Sequence, residues 1–188
     1  MALSKIDPVE SIDLADKEYF HVDLTTAMTG INDTSISTID FGGKGTVKYD
    51  TKSKFDTAND AYLLDSSDGV YLISFSVGIR SDNLSTEQLV EAMAGVFVAT
   101  DGSNYSSIIG GGGRGFDDQG DPTGSVTISG SFIYKSTTAT TKIILKSYAN
   151  TISSGDYEIS PDAENNIGVT AAQFSTARCT FLSIARIA

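Results

Sequence analysis

The stretch DGVYLISFSVGIR, from Asp68 to Arg80, alternates Tyr71, Ile73, Phe75, Val77 and Ile79 with Ser74, Ser76, Gly78 and Arg80. Side chains along a strand repeat every second residue, so the five apolar groups share one face and the other face carries little bulk. The pattern predicts a half-buried strand of an antiparallel sheet. Shorter runs of similar character follow from Ser37 onward. STIDF, GTVKYD and AYLLD are separated by the turn-rich GGKG and TKSKFDTAND. Further along, GVFVATDG, SNYSSII, SVTISGSFIYKS, TTKIILKSYAN and the terminal CTFLSIARIA bring the set to about eight strands around one core.

Two segments break the alternation. In DNLSTEQLVEAMAG, Ser85 stands three residues before Gln88 as in a capping box, and Leu89, Val90 and Met93 fall at helical spacing, which predicts a short helix. The glycine-rich GGGGRGFDDQGDPTG, from Gly110 to Gly124, is expected to form a long loop. Residues 1–38 are polar, show no sustained alternation and contain Pro8. They are expected to form an extended N-terminal arm that orders on a partner, leaving 39–188 as the head domain. The arm's scattered apolar residues Leu3, Ile6, Val9, Ile12, Leu14, Tyr19 and Phe20 are its candidate anchoring contacts.

Composition sharpens this picture. A chain of 188 residues has room for one ordinary domain, and 18 glycines with 3 prolines and no Trp suit a sheet protein with tight connections. Lys and Arg total 13 against 24 Asp and Glu, a formal charge of −11. Such a surface repels phosphate backbones and anionic membranes, which argues against nucleic-acid binding. No run approaches the roughly 20 apolar residues of a membrane helix, so membrane insertion is not expected. The first twenty residues lack the basic and apolar regions of a secretory signal, and folding in a cytoplasm is expected.

The candidate chemistry is sparse. Gly110, Gly112 and Gly115 satisfy G-x-G-x-x-G, but Asp117 and Asp118 would repel a pyrophosphate, and Pro122 and Gly124 oppose the helix that the motif requires. Asp117, Asp118 and Asp121, like Asp60, Asp65 and Asp68, lack the ligand spacing of a calcium loop. His21 is the single histidine and Cys179 the single cysteine, too few for a tetrahedral zinc site without carboxylates. Cys179 opens an apolar terminal strand and reads as a buried structural thiol. No catalytic residue, metal or cofactor is expected, and enzyme activity is disfavoured.

Phe55, Asp56, Tyr62, Gly69, Tyr71 and Phe75 stand in the order seen in a known family. The run from Val47 to Asn83 resembles the first half of the trimeric jelly-roll family shared by the complement globular head and tumour necrosis factor. TFLSIARIA, with Phe181 and Leu182, is similar to that family's closing strand. The resemblance covers about residues 40–188 and implies an all-β, antiparallel jelly-roll sandwich that assembles as a homotrimer. The terminal strand has Phe181 and Ile187 on one side and Leu182 and Ile184 on the other, so it needs two covers. The resemblance implies that one is the core and the other a neighbouring subunit, which makes these four residues the expected trimer contacts.

The opening MALSKID resembles the first residues of virion structural proteins of tailed bacteriophages, notably those infecting marine cyanobacteria. Together the two resemblances imply a non-enzymatic virion protein, assembled in the host cytoplasm, that decorates or cements the capsid. Its partners would be its own copies and the major capsid protein or another virion protein. The alternative is a receptor-binding tip of a head or tail fibre, with Tyr105, Arg114 and Phe116 as exposed-loop contacts to a host glycan or receptor. A glycan-active virion enzyme is a distant third.

Overall fold

The strand expected from the opening alternation forms as Val70–Ser81 and is the spine of one of two sheets in the computed structural model. The structure describes residues 17–64, 66–81, 89–105, 107–115, 124–151, 155–161 and 179–188. Among the described residues the elements run β1 (Tyr19–Leu24), β2 (Met28–Ile31), β3 (Ser37–Thr38), a helical turn α1 (Phe41–Lys44), β4 (Gly45–Asp50), β5 (Phe55–Asp56) and β6 (Ala61–Leu64). They continue with β7 (Val70–Ser81), β8 (Leu89–Ala99), β9 (Ser107–Gly115), β10 (Ser125–Lys135), β11 (Thr141–Thr151), β12 (Tyr157–Ser160) and β13 (Phe181–Arg186).

Each sheet is organised by one long strand with a continuous partner on one edge and two short partners on the other. In the first sheet β10 pairs with β7 from Val70 to Arg80. The opposite edge of β7 is shared by β13, at Tyr71–Ser76, and β12, at Gly78–Ser81. β13 leads on to β1 and β4, and β12 leads on to β2. In the second sheet β8 pairs along β11 and carries β9 on its far side, while β6 and β3 share the other edge of β11. All pairings are antiparallel, as the alternating patterns require.

The apolar faces of the two sheets meet in one core. Tyr71, Ile73, Phe75, Val77 and Ile79 point into it, each at most 1% exposed. Ala92, Ala94, Val96 and Val98 of β8 and Ile143 and Leu145 of β11 oppose them from the second sheet. The core therefore collects alternate residues from strands far apart in the chain.

Three expectations fail. The helix predicted near Ser85 is replaced from Leu89 by β8; residues 82–88 lie outside the described residues. Helical spacing of Leu89, Val90 and Met93 yields to ladder pairing on both edges and to burial of the alternate set Ala92, Ala94, Val96 and Val98. The first part of the expected loop is also a strand, since Gly110–Gly113 pair with β8 in β9, while residues 116–123 lie outside the described residues. Its lack of side chains has a packing reason: a Cβ on Gly110 would lie 2.3 Å from the Phe132 ring, and one on Gly112 would lie 3.2 Å from Ile128. Bulk supplied by β10 fills the space that β9 leaves open.

The third failure is the arm boundary at residue 38. Residues from Tyr19 onward supply β1, β2 and β3, and β1 lies inside the first sheet between β13 and β4. Phe20, Val22 and Leu24 are fully buried, so Phe20 is a core residue and not an anchor. Tyr19, on the other side of β1, packs against Tyr49 at 5.5 Å between ring centroids. The alternation of Phe20, Val22 and Leu24 with the polar His21 and Asp23 is in the sequence, and the reading of residues 1–38 as an arm passes over it. Leu3, Ile6, Val9, Ile12 and Leu14 lie outside the described residues. Cys179 sits just ahead of β13, half-buried, and its thiol donates to the Ser160 carbonyl at 3.3 Å.

A buried carboxylate fastens the entry to β1. Glu18 is 4% exposed and accepts hydrogen bonds from the Tyr62 hydroxyl at 3.4 Å and the Tyr71 hydroxyl at 3.3 Å. The Lys54 ammonium pairs with it at 2.9 Å. Burial, reinforced by the Glu18 charge, pushes the Tyr62 phenol well above its ordinary range, which keeps it a donor. One side chain thus ties β1 to β6, to β7 and to the turn after β4.

Two stability outcomes follow from this packing. Phe75→Ala is expected to cost about 3–5 kcal/mol in urea unfolding, because the removed ring lies between sheets and against Gly130. Glu18→Ala is expected to cost about 3–5 kcal/mol by the same measurement, since it removes the buried carboxylate that pairs with the Lys54 ammonium and accepts from two phenols.

Candidate functional site

The side of the first sheet that faces away from the core is the broadest surface on which the strand register brings functional side chains together. Its residues line up in rows across the strands. At one end, Ile133 of β10 is opposite Leu72 of β7, Leu72 opposite Ala185 of β13, and Ala185 opposite Tyr19 of β1. The Tyr19–Tyr49 contact extends this row onto β4. Ile133 is 66% exposed, Tyr49 57% and Leu72 40%, so an apolar band crosses five strands in the open. Contiguous apolar surface of this kind marks a contact region, whereas isolated exposed residues do not.

The next rows are polar. Ser131, Ser74, Ser183 and His21 follow one another across β10, β7, β13 and β1, with the Ser74 and Ser131 hydroxyls 2.8 Å apart. Beyond them come Ser129, Ser76, Phe181 and Asp23, with Ser129 bonded to Ser76 at 2.9 Å. His21 Nε2 lies 2.9 Å from Asp23 Oδ1, and its ring sits 5.6 Å from that of Phe181. Ser183 is the cross-strand partner of His21, but the imidazole is bonded to Asp23 and not to this hydroxyl. The trio lies on an open sheet face without the nucleophile–base contact of acyl transfer.

The predicted contact residues divide accordingly. Phe181 and Ile187 point outward, Ile187 being 54% exposed, whereas Leu182 and Ile184 are 1% and 0% exposed and belong to the core. The latter two cannot meet another subunit, because strand alternation sends them to the side that the second sheet covers. Leu72, Ile133 and Tyr49 of this face were not singled out in the sequence, whereas Tyr19 was expected as an anchoring contact. The sequence carries a faint signal for two of them, since Leu72 and Ile133 are the large apolar residues on otherwise small or hydroxylated faces of β7 and β10.

The second sheet carries its own apolar feature. A depression of about 280 Å3 on its outer side is lined by Ile36, Met93, Phe97, Ile108, Lys146 and Tyr148. It exists because Gly95, Gly111 and Gly113 contribute no side chains there, while the Lys146 ammonium bridges the Phe97 ring at 4.8 Å and the Tyr105 carbonyl at 3.3 Å. Tyr105 is thus half-buried beside this region, and burial raises its phenol above the usual range. Arg114 is exposed, but on β9 and not on a loop. Phe116 lies outside the described residues.

Asp65, Asp117, Asp118 and Asp121 lie outside the described residues, and Asp68 is exposed beside Lys135 at 3.4 Å. Asp60 accepts the Gly42 amide at 2.6 Å from a left-handed backbone, φ +54°. Among the described residues no group of three His, Cys, Asp or Glu side chains is placed to hold a metal ion.

Searches against known proteins agree on the fold alone. No family model matches the chain, and no curated protein matches it. Among solved structures, the Eiger TNF of S. frugiperda superposes with a TM-score of 0.58 at 7% identity, over 92% of this chain and 93% of that one. Murine APRIL at pH 5.0 superposes with a TM-score of 0.55 at 10% identity, over 91% of this chain and 99% of that one. The globular domain of the zebrafish complement 1qA protein aligns at 0.44, with 10% identity over 92% of this chain and 98% of that one. The chain therefore has the TNF-like jelly-roll fold, as the order of its aromatic and glycine residues implied.

Burial raises the Asp60 carboxyl above its ordinary range, and the nearby Asp40 and Asp56 charges add to this. A carboxyl raised by folding favours its protonated form, so its ionised form opposes stability once pH exceeds the raised value. Asp60→Asn keeps the acceptor and tolerates the left-handed backbone. Thermal unfolding is expected to show a higher midpoint than wild type at about pH 7, with the advantage shrinking toward about pH 3.

Proposed function

We propose that the protein is a non-enzymatic binding module that works as a homotrimer, built around the outward face of the first sheet. The observation that carries this is the band of exposed Ile133, Leu72 and Tyr49 with half-buried Tyr19, an apolar row with no cover among the described residues. Covering it would remove apolar area from water, the largest favourable contribution to association. The TNF-like fold and the resemblance to a trimeric jelly-roll family support a second and third copy as the cover. Phe181 and Ile187 lie on the same face and would join the contact.

Within that reading, the protein is a tailed-phage virion protein that decorates or cements the capsid. The support is the similarity of MALSKID to the openings of such proteins, together with apolar residues Leu3, Ile6, Val9, Ile12 and Leu14 ahead of the fold. These five, without Tyr19 and Phe20, are the revised anchor to the major capsid protein or another virion protein. The apolar depression on the second sheet favours a second reading, a receptor-binding tip whose free surface meets a host glycan or receptor.

Leu72→Asp with Ile133→Asp is expected to leave the thermal midpoint nearly unchanged, since both residues are exposed, while sedimentation velocity shifts from trimer to monomer. A wild-type chain that sediments as a monomer at micromolar concentration overturns the trimer. Mass spectrometry of purified particles tests the location: many copies per particle support decoration, few support a tip, and none overturns both. Deleting residues 1–16 is expected to leave a folded trimer that no longer attaches to particles.

A further inference from the structure

We propose that assembly through this face is proton-linked, with His21 as the sensor and Asp23 as its partner. The proposal rests on the self-association reading and concerns the regulation of that same face. His21 is the protein's only histidine, and it sits on the outward side of β1, within the surface that a neighbouring copy would cover. Its Nε2 is 2.9 Å from Asp23 Oδ1, with side chains 23% and 10% exposed. The pair already lies at the margin of solvent in the monomer.

Among the described residues, His21 is the side chain that pairs with the Asp23 carboxylate. From β13 the neighbours are Phe181 and Ser183, which do not titrate in the accessible range. From β4 the register brings Tyr49, a neutral phenol, and Lys48, an exposed residue skipped where the ladder shifts between His21 and Val22. Closing a second copy over the face would bury Asp23 with either a neutral imidazole or an imidazolium. With the neutral ring each protomer buries a net negative charge, whereas with the imidazolium it buries a neutral, hydrogen-bonded pair. Assembly therefore takes up protons at His21 and tightens as pH falls through the histidine range.

Net acidity alone also makes low pH favour association, because protomers of charge −11 repel one another less as protons bind. The variant H21Q separates the two effects: its amide still donates to Asp23, takes up no proton, and leaves the other charges in place. Sedimentation equilibrium at about pH 5.5 and about pH 8, at fixed salt, is the measurement. The wild-type trimer is expected to tighten between the two by about tenfold more per protomer than H21Q. D23N, which removes the charge that His21 would balance, is expected to lose the same excess. Circular dichroism at both pH values confirms that each variant is folded. Parallel wild-type and H21Q curves, with a trimer present throughout, overturn the proton linkage and leave the trimer standing. A wild-type monomer at both pH values overturns both.

Discussion

Burial of the alternate face of β7 is the constraint on which the rest of the structure depends. Tyr71, Ile73, Phe75, Val77 and Ile79 must all leave water together, and a single cover sheet achieves this when β8 and β11 lie across them. A slip of one residue would turn all five into solvent and bring Leu72, Ser74, Ser76, Gly78 and Arg80 inward, so the register is heavily specified. The same register, once set, dictates the opposite face. The bare outer side of β7 aligns with equally small residues on β10 and β13, and the apolar exceptions Leu72 and Ile133 fall in one row.

Glycine placement follows from the same packing. The β9 strand keeps Gly110 and Gly112 where β10 sends Phe132 and Ile128, and Gly130 keeps its position clear for the Phe75 ring. Aromatic bulk on one strand and absence of bulk on its neighbour are two halves of one contact. A run that satisfies a phosphate-loop spacing is here a strand paired along β8, and not the strand-to-helix turn that the motif requires. Likewise Glu18, the most deeply enclosed carboxylate of the node that closes the β1 end, is occupied by two phenols and an ammonium.

The described surface divides into an outward face on the first sheet, apolar in one row and hydroxylated in the next, and a shallow apolar depression on the second. Flat faces with a mixed apolar and hydroxyl character suit contact with protein, where complementarity over area supplies affinity. The hydrogen-bonded His21 and Asp23 lie on the first face.

The sequence by itself determined the class of fold, because period-two alternation in β7, β10 and β11 reports burial directly and the ordered Phe55, Asp56, Tyr62, Gly69, Tyr71 and Phe75 carry the family resemblance. Three things were decided only in the tertiary structure. Leu89–Ala99 became a strand and not a helix because two ladders and a buried alternate face outweighed a local spacing preference. Gly110–Gly113 became a strand because residues about twenty positions later fill its missing side chains. Tyr19–Leu24 joined the sheet because its partner strands, β4 and β13, lie some 25 and 160 residues onward, and no local pattern reports a pairing made at that separation.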